Sequence, residues 1–115
     1  MRTVVAGSRG ITEYTVVAQA ILDSKFRITT VISGGAAGVD SLGERWAKER
    51  GIPVERHLPD WGKNGRAAGL MRNEEMVDCA EALIAVWDGA SRGTKYSIDY
   101  ARKRSIPVFI KVINT

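Results

Sequence analysis

Cysteine, histidine and long apolar runs are scarce in this 115-residue sequence, and each scarcity excludes a class of protein. The single cysteine, Cys79, leaves no internal disulfide and no thiolate metal cage, and its apolar helical surroundings predict a buried, inert thiol. The single histidine, His57, has no carboxylate or cysteine at a ligand-like spacing, which predicts a strand-end surface residue. No apolar stretch approaches the roughly 20 residues of a membrane helix, and the N-terminus leads directly into a strand pattern, so we expect a cytoplasmic protein without a membrane partner.

The charge balance gives a weak preference for an anionic partner. The net charge is +4, and much of it comes from one cluster, Arg102, Lys103 and Arg104. Such a cluster is typical of a solvated helix end that complements the negative end of the helix dipole. A nucleic-acid partner is disfavoured, because no strand carries the alternating aromatic residues of a nucleic-acid platform. With 44% apolar and 26% charged residues, residues 1–115 are predicted to form one small globular domain.

Short β-prone runs alternate with amphipathic segments along the chain. The predicted strands cover residues 3–7, 29–33, 53–57, 82–87 and 106–112. One helix is predicted to begin near Glu13 with Thr12 as its N-cap, and a second begins at Val39. The segment 58–69 is predicted to be a loop, and a third helix follows it. The run 82–87 is the most apolar and is predicted to be the central strand, and a fourth helix follows it.

Alternation of strands and helices predicts a parallel sheet that is covered on both faces and joined by right-handed crossovers. The predicted fold is therefore a doubly wound, three-layer α/β sandwich with about five parallel strands and helices on both faces. In such sheets, ligands bind beyond the carboxyl ends of the strands, near the point where the strand order reverses. The fold class thus predicts where a site lies.

Glycine-rich or irregular turns follow the predicted strands at this edge, whereas the turns at the opposite edge are ordinary surface turns. They are GSRGIT, SGGAAGVD and DGASRGT, and the third strand leads into the loop that carries a tryptophan. Glycines admit a ligand close to the backbone, and a following helix presents unpaired N–H groups to a phosphate. The candidate ligand-binding residues are Gly7, Ser8, Arg9, Ser33, Gly34, Gly35, Gly38, Asp40, Trp61, Arg72, Asn73, Asp88, Gly89, Ser91, Gly93 and Thr94.

Each of these residues also has a structural interpretation. The turn SGGAAGVD matches neither GxGxxG nor GxxxxGK[ST], so on its own it is equally a structural turn or a ligand loop. Gly38 permits either close packing or ligand approach, and Asp40 either caps the helix or binds a ribose hydroxyl. Trp61 either stacks on a base or covers the core, and Asn73 is either buried with partners or directed into the cleft. Ser91 has the alternative role of a helix N-cap.

Four segments together resemble the SLOG superfamily of Rossmann-like domains, which is related to the LOG phosphoribohydrolases and to DprA. They are GSRGI, VISGGAAGVDSLGERWA, PDWGKNGRAAGLMRNEEM and LIAVWDGASRGT, and they span nearly the whole chain in the expected order. The branch they resemble most is the YspA-type one (cpYpsA-related, DUF2493). The resemblance implies that Gly34, Gly35, Gly38, Gly93 and Thr94 hold a phosphate or ribose of a nucleotide-derived ligand, such as an ADP-ribose-like molecule.

One residue departs from the pattern of the LOG enzymes, which cleave the N-glycosidic bond of nucleoside monophosphates. Their motif has the form PGGxGTxxE, and its glutamate acts together with an arginine from an earlier helix. Here DGASRGTKYS keeps Gly93 and Thr94 but has Ser97 in place of the glutamate, while Arg72 matches the arginine. Serine cannot by itself stabilise an oxocarbenium-like transition state or activate water, although Asp40 or Asp88 can substitute.

The expected function is therefore binding of a nucleotide or nucleotide sugar, as a sensor or sequestering module. The alternative is an N-glycosidic nucleotide hydrolase, in which Arg72 is the catalytic residue and Asp40 or Asp88 replaces the glutamate. Single-stranded DNA binding is less favoured. The sequence predicts no cofactor and leaves open a Mg²⁺ ion carried by a phosphate ligand. Small nucleotide-binding sheets of this superfamily often associate, so a homodimer or higher homo-oligomer is expected.

Overall fold

The computed structural model describes residues 1–114, and its strands and helices alternate along the chain. The strands are β1 (Arg2–Gly7), β2 (Thr30–Ser33), β3 (Val54–Arg56), β4 (Ala82–Trp87) and β5 (Val108–Val112). The helices are α1 (Tyr14–Ser24), α2 (Val39–Glu49), α3 (Trp61–Asn64), α4 (Ala68–Asp78) and α5 (Arg92–Lys103). A 3₁₀ turn, Gly65–Ala67, joins α3 to α4.

The five strands form one parallel sheet in the order β3-β2-β1-β4-β5. Val5 of β1 lies opposite Ile84 of β4, and Val31 of β2 lies opposite Val54 of β3. The chain therefore builds outward from β1 to β3 and then continues on the other side of β1. This order confirms the predicted doubly wound, Rossmann-like α/β fold, and it puts the reversal of strand order between β1 and β4.

Each face of the sheet is covered by its own apolar layer. Alternating strand residues point to opposite faces, so Val5 and Ile84 belong to the cluster with α1 and α2, whereas Val4 and Leu83 belong to the cluster with Met76 of α4. Residues of β4 face both layers and are buried from end to end except at the last position. This burial explains the unbroken apolar run of β4, although the middle position of the sheet belongs to β1.

The segment 58–69 was predicted to be a loop, and this prediction is wrong. The Asp60 carboxylate accepts a hydrogen bond from the Lys63 N–H at 3.0 Å and so caps the single-turn helix α3. The 3₁₀ turn follows, and α4 begins at Ala68. Aspartate is a favoured N-cap residue, so Asp60 was the signal available in the sequence. The helix that follows is too short for hydrophobic periodicity to reveal it.

Two smaller expectations are also corrected. The N-cap of α1 is Glu13 rather than Thr12, and no side chain in the described part of the chain caps the helix. Cys79, predicted to be buried, is exposed, because α4 ends at Asp78 and Cys79 occupies the cap position after it. Its backbone N–H still bonds to the Glu75 carbonyl at 3.2 Å.

Within residues 1–114, no helix combines the length and the apolar character required to cross a bilayer. The arginine and lysine cluster, Arg102, Lys103 and Arg104, is exposed at the C-terminal end of α5, the end of that helix away from the strand edge where ligands are expected.

Close packing of α2 on the sheet gives a first prediction. A Cβ atom added at Gly43 would lie 2.8 Å from the Val5 Cγ1 atom, so Gly43→Val overpacks the interface between α2 and β1. We expect a loss of about 1–3 kcal/mol in the free energy of unfolding, measured by urea denaturation. Ser41→Val, on the exposed face of the same helix, is the matched control and should stay near wild type. Equal stability of the two variants would contradict the packing described.

Candidate functional site

An open cleft of about 460 Å³ lies beyond the carboxyl ends of β1 and β4, where the strand order reverses. The predicted residues that line it come from four separate parts of the chain. They are Gly7, Ser8, Arg9, Asp40, Arg72, Asn73, Asp88, Ser91, Gly93 and Thr94. The topology therefore gathers these residues in one place, at the edge where glycine-rich turns were predicted to bind a ligand.

The ends of β1 and β4 are locked together at the floor of the cleft. The Ser8 N–H donates to the Val86 carbonyl at 3.1 Å, and the Asp88 N–H donates to the Ser8 Oγ at 3.0 Å. A Cβ atom at Gly7 would overlap the Val86 carbonyl oxygen, so only glycine fits this close approach. As a result, the turn after β1 and the turn after β4 have a fixed relative position.

Asp88 shapes the entry into α5. Its Oδ1 accepts hydrogen bonds from the N–H groups of Ala90 and Ser91, each at 2.8 Å. These backbone donors hold the pKa of the Asp88 carboxyl below its usual range. Ser91 occupies the N-cap position, but its hydroxyl pairs with the Thr94 hydroxyl at 3.1 Å instead of capping the backbone.

The first turn of α5 faces the cleft through Gly93 and Thr94. The N–H groups at the start of a helix have no intrahelical acceptor and carry the positive end of the helix dipole. The Asp88 carboxylate accepts hydrogen bonds from the N–H groups just before the helix. Those of Gly93 and Thr94 have no acceptor among residues 1–114 and remain for a ligand. This arrangement suits an anion, and phosphate in particular.

Arg72 of α4 brings a cation to the same cleft. Its Nη1 donates to the Gly34 carbonyl at 2.6 Å and to the His57 carbonyl at 3.5 Å, and its Nε donates to the Asn73 Oδ1 at 2.8 Å. Within residues 1–114, Nη2 makes no hydrogen bond to protein. Burial and the nearby charge of Arg9 lower the pKa of Arg72, but a guanidinium remains charged at neutral pH.

The glycine-rich turn after β2 supports the cleft mostly from behind. A Cβ atom at Gly34 would lie 2.8 Å from Nη1 of Arg72, and one at Gly38 would lie 2.5 Å from the Ser8 and Arg9 carbonyl oxygens. Gly38 also has a φ of 76°, a conformation that favours glycine. Of the two roles open for Gly38, close packing is therefore the one it performs.

Asp40 is nearly buried, with 6% of its surface exposed, and it lines the cleft. Its Oδ2 accepts a hydrogen bond from the Ala36 N–H at 3.3 Å, so the side chain braces the preceding turn, while Gly38 occupies the N-cap position of α2. Burial raises the pKa of Asp40 to about 6, against the opposing effects of the Ala36 N–H and the charge of Arg72.

Six predicted residues do not line the cleft: Ser33, Gly34, Gly35, Gly38, Trp61 and Gly89. Ser33 is buried, donates to the Glu44 Oε2 at 2.6 Å and accepts from the Gly35 N–H at 3.1 Å. Trp61 is 56% exposed at the start of α3, so it neither covers the core nor lines the cleft. Ser33, Gly34 and Gly38 therefore belong to the framework behind the cleft.

Some lining residues were not among the predicted ligand-binding residues. They are Ala6, Gly10, Ala36, Met76 and Ser97. Met76 and Ser97 lie one helical turn after Arg72 and Gly93, so the spacing of four residues was the signal available. The Ser97 hydroxyl donates to the Gly93 carbonyl at 3.2 Å, which makes it part of the α5 wall.

The view of His57 as an isolated surface residue is wrong. Its side chain is only 18% exposed, and its Nε2 lies 2.7 Å from the Glu55 Oε2. Glu75 and Cys79 also come near it, from the end of α4. The sequence could not show that Glu75 and Cys79 lie near His57, because β3 and α4 come together only in the folded chain.

Comparison with known proteins gives a family match and two curated relatives. The model of the YspA, cpYpsA-related SLOG family matches residues 1–63. Gene 61 protein of Mycobacterium phage D29 is 37% identical over 116 residues, which cover 93% of each chain. The uncharacterized SPbeta prophage-derived protein YoqJ of Bacillus subtilis (strain 168) is 50% identical over 32 residues, 28% of this chain and 19% of that protein.

The fold is also similar to a solved structure, that of DNA processing protein A (DprA) from Streptococcus pneumoniae. The TM-score is 0.78 at 16% sequence identity, and the match covers 95% of this chain but 49% of DprA. The chain thus spans about half the length of that protein. At this identity the similarity establishes a shared fold.

The burial of Asp40 gives a second prediction, on the pH dependence of stability. Its pKa is about 6 in the folded protein and ordinarily 3.8, so the unfolded chain releases this proton first as the pH rises. We expect the free energy of unfolding of wild type, relative to Asp40→Asn, to fall by up to about 3 kcal/mol between about pH 4 and pH 7.5. Asp23→Asn, on the exposed surface of α1, is the control. A difference that does not vary with pH would contradict the burial of a carboxyl group here.

Proposed function

The chain belongs to the YspA, cpYpsA-related SLOG family, and we propose that its cleft binds the phosphate groups of a nucleotide or nucleotide-derived ligand, such as an ADP-ribose-like molecule. The observation that carries the proposal is the convergence of two cations, Arg9 and Arg72, with the first turn of α5 on one open cleft. Each of these features favours an anion, and together they favour a phosphate.

The hydrogen-bond donors that have no protein partner among the described residues favour a phosphate against the first turn of α5. The N–H groups of the first turn of α5 face the cleft at Gly93 and Thr94, and Nη2 of Arg72 is uncommitted within the described residues. Arg9 is exposed at the rim, where it adds positive charge near Arg72. A phosphate placed against α5 therefore receives charge-assisted hydrogen bonds from backbone and side chain.

The rest of the cleft has room and groups for a sugar. A volume of about 460 Å³ is in the usual range of small-molecule sites. The Asp40 carboxylate accepts hydrogen bonds and lies beside the cleft, which suits a ribose hydroxyl, and Met76 supplies an apolar surface. The ligand class is therefore a phosphorylated ribose derivative, and the protein acts as a sensor or sequestering module, on its own or as a homodimer or higher homo-oligomer.

A second candidate function is cleavage of an N-glycosidic bond. Among the described residues that line the cleft, the carboxylates are Asp40 and Asp88, and Asp88 is occupied by the backbone N–H groups before α5. Asp40 has a pKa of about 6 and lies near Arg72, in the range suited to acid–base chemistry at neutral pH. In this alternative, Asp40 activates water or stabilises the sugar cation, and Arg72 holds the phosphate.

Binding of single-stranded DNA has less support. The exposed basic cluster Arg102, Lys103 and Arg104 lies at the far end of α5 from the cleft, so the two cationic regions do not form one continuous surface. A DNA ligand would show a steep dependence of affinity on salt concentration.

Calorimetry on matched arginine variants tests the proposal. We expect wild type to bind at least one of ADP-ribose, AMP, ATP and NAD, and Arg72→Ala to lose about tenfold or more in affinity, because a charge-assisted hydrogen bond is removed. Arg102→Ala removes the same charge at the other end of α5 and should bind like wild type. No binding of any of these ligands at millimolar concentration, or equal losses in both variants, would refute it.

A steric variant tests the same site without changing its charge. A Cβ atom at Gly93 would meet only the Asn73 Nδ2, at an ordinary contact distance of 3.9 Å, so Gly93→Ala fits the fold and favours the helix. Its methyl group enters the space beside the α5 N–H groups. We expect unchanged or raised thermal stability together with weaker ligand binding. If Gly93→Ala binds the ligand as tightly as wild type, the phosphate does not lie against the first turn of α5.

Product analysis separates binding from cleavage. If the protein is a hydrolase, incubation with nucleoside monophosphates releases free base, and Asp40→Asn abolishes the release while leaving binding measurable. Release of base that persists in Asp40→Asn and in Arg72→Ala would come from another source.

A further inference from the structure

A second cluster of chemically active side chains lies on the outer edge of the sheet. Glu55 belongs to β3, His57 follows that strand by one residue, and Cys79 follows the end of α4. One ligand atom from each residue, a carboxylate oxygen, a ring nitrogen and the sulfur, lies within 4.8 Å of the other two. We refer to these three residues as the β3–α4 cluster.

Strand β3 and the C-terminal end of α4 position the three residues of the β3–α4 cluster. Residues 55 and 57 are two apart along an extended chain, so both side chains emerge on the same face. Helix α4 covers that face and ends at Asp78, and the Cys79 N–H is held by the Glu75 carbonyl at 3.2 Å. The thiol is exposed, so an ion can reach it from solvent.

Arg2 fixes two members of the cluster at once. Its Nη2 donates to both carboxylate oxygens of Glu55, at 2.8 and 2.9 Å, and its Nε donates to the Cys79 carbonyl at 3.0 Å. One guanidinium therefore joins the edge strand to the end of α4. It also offsets negative charge when the carboxylate and a thiolate are close together.

Carboxylates flank both nitrogens of the His57 ring. Nε2 lies 2.7 Å from the Glu55 Oε2, and Nδ1 lies 3.9 Å from the Glu75 Oε2. Where one ring nitrogen of a histidine binds a metal, the other is usually held by a carboxylate or carbonyl, which sets the tautomer. The imidazole of His57 has partners of this kind on either side.

We propose that Glu55, His57 and Cys79 bind a divalent cation of the zinc class, with water completing a four-coordinate site. Thiolate, imidazole and carboxylate are the ligands of Zn²⁺, whereas Mg²⁺ and Ca²⁺ require oxygen ligands. The bond lengths of tetrahedral zinc put neighbouring ligand atoms about 3.3–3.8 Å apart. The His57 Nε2 and Glu55 Oε2 atoms, 2.7 Å apart, separate slightly to reach this spacing. Side-chain rotations that move ligand atoms by about 1 Å bring the remaining pairs, which lie within 4.8 Å, to the same spacing.

Binding is a simple exchange of a proton for the metal. The Cys79 sulfur loses its proton to solvent and forms a bond to the cation. The proton between His57 Nε2 and the Glu55 carboxylate moves through solvent to Nδ1, which faces Glu75, and Nε2 and Glu55 then each bond to the cation. The formal charges of thiolate, Glu55, Arg2 and a divalent ion sum to a small positive value, which the Glu75 carboxylate lowers.

Cobalt substitution tests the site on the 115-residue chain under reducing conditions. We expect Co²⁺ to bind at one equivalent with the visible bands of a tetrahedral ion and a thiolate-to-cobalt charge-transfer band, and Zn²⁺ to displace it. Cys79→Ser should lose the charge-transfer band, and His57→Asn should bind Co²⁺ much more weakly. Glu13→Gln, an exposed carboxylate at the start of α1, is the control and should match wild type.

Thiol alkylation provides a second readout that does not depend on colour. Saturating Zn²⁺ should slow alkylation of Cys79 in wild type by about tenfold or more, because a metal-bound thiolate is not free to react. In folded His57→Asn, as judged by circular dichroism, the same Zn²⁺ should give little protection. Absence of the charge-transfer band, or equal protection in wild type and His57→Asn, would overturn the proposal.

Discussion

The seam between the ends of β1 and β4 is the contact on which the rest of the site depends. Gly7 approaches the Val86 carbonyl too closely for any side chain, and the Ser8 hydroxyl receives the Asp88 N–H at 3.0 Å. These contacts fix the turn that carries Arg9 relative to the entry into α5. Because strand order reverses here, no crossover helix within residues 1–114 covers the seam, and an open cleft results. A rigid floor of this kind positions the unpaired N–H groups of α5 before any ligand arrives.

Arg72 supplies a positive charge to the cleft above this floor. Its guanidinium is half-buried against the Gly34 carbonyl, and burial lowers its pKa without removing its charge. Two carbonyls and the Asn73 amide oxygen orient it without neutralising it, and the charge of the nearby Asp40 carboxylate offsets part of its own. A bound phosphate would add a second negative charge next to Arg72, and the nearly buried Asp40 would become easier to protonate beside it. The cleft is therefore better suited to an anion than to a neutral ligand.

Periodicity and turn composition were sufficient to predict the parallel doubly wound sheet and the edge where the cleft lies, because both depend on residues close in sequence. They were not sufficient to assign the glycine-rich turn after β2, which packs behind Arg72, a residue 38 positions away from Gly34. The grouping of His57 with Cys79 was missed for the same reason, since β3 and α4 meet only through tertiary packing. The one-turn helix α3 escaped detection because four residues show no helical period.

We propose that the first turn of α5 holds the phosphate of the ligand. Amide chemical shifts in ¹⁵N-labelled protein, followed during titration with ADP-ribose and separately with AMP, test this claim at individual residues. We expect the largest shifts with either ligand at Gly93 and Thr94, and smaller ones at Ser8 and Arg9. Shifts concentrated at the basic C-terminal end of α5, with Gly93 and Thr94 unmoved, would contradict it.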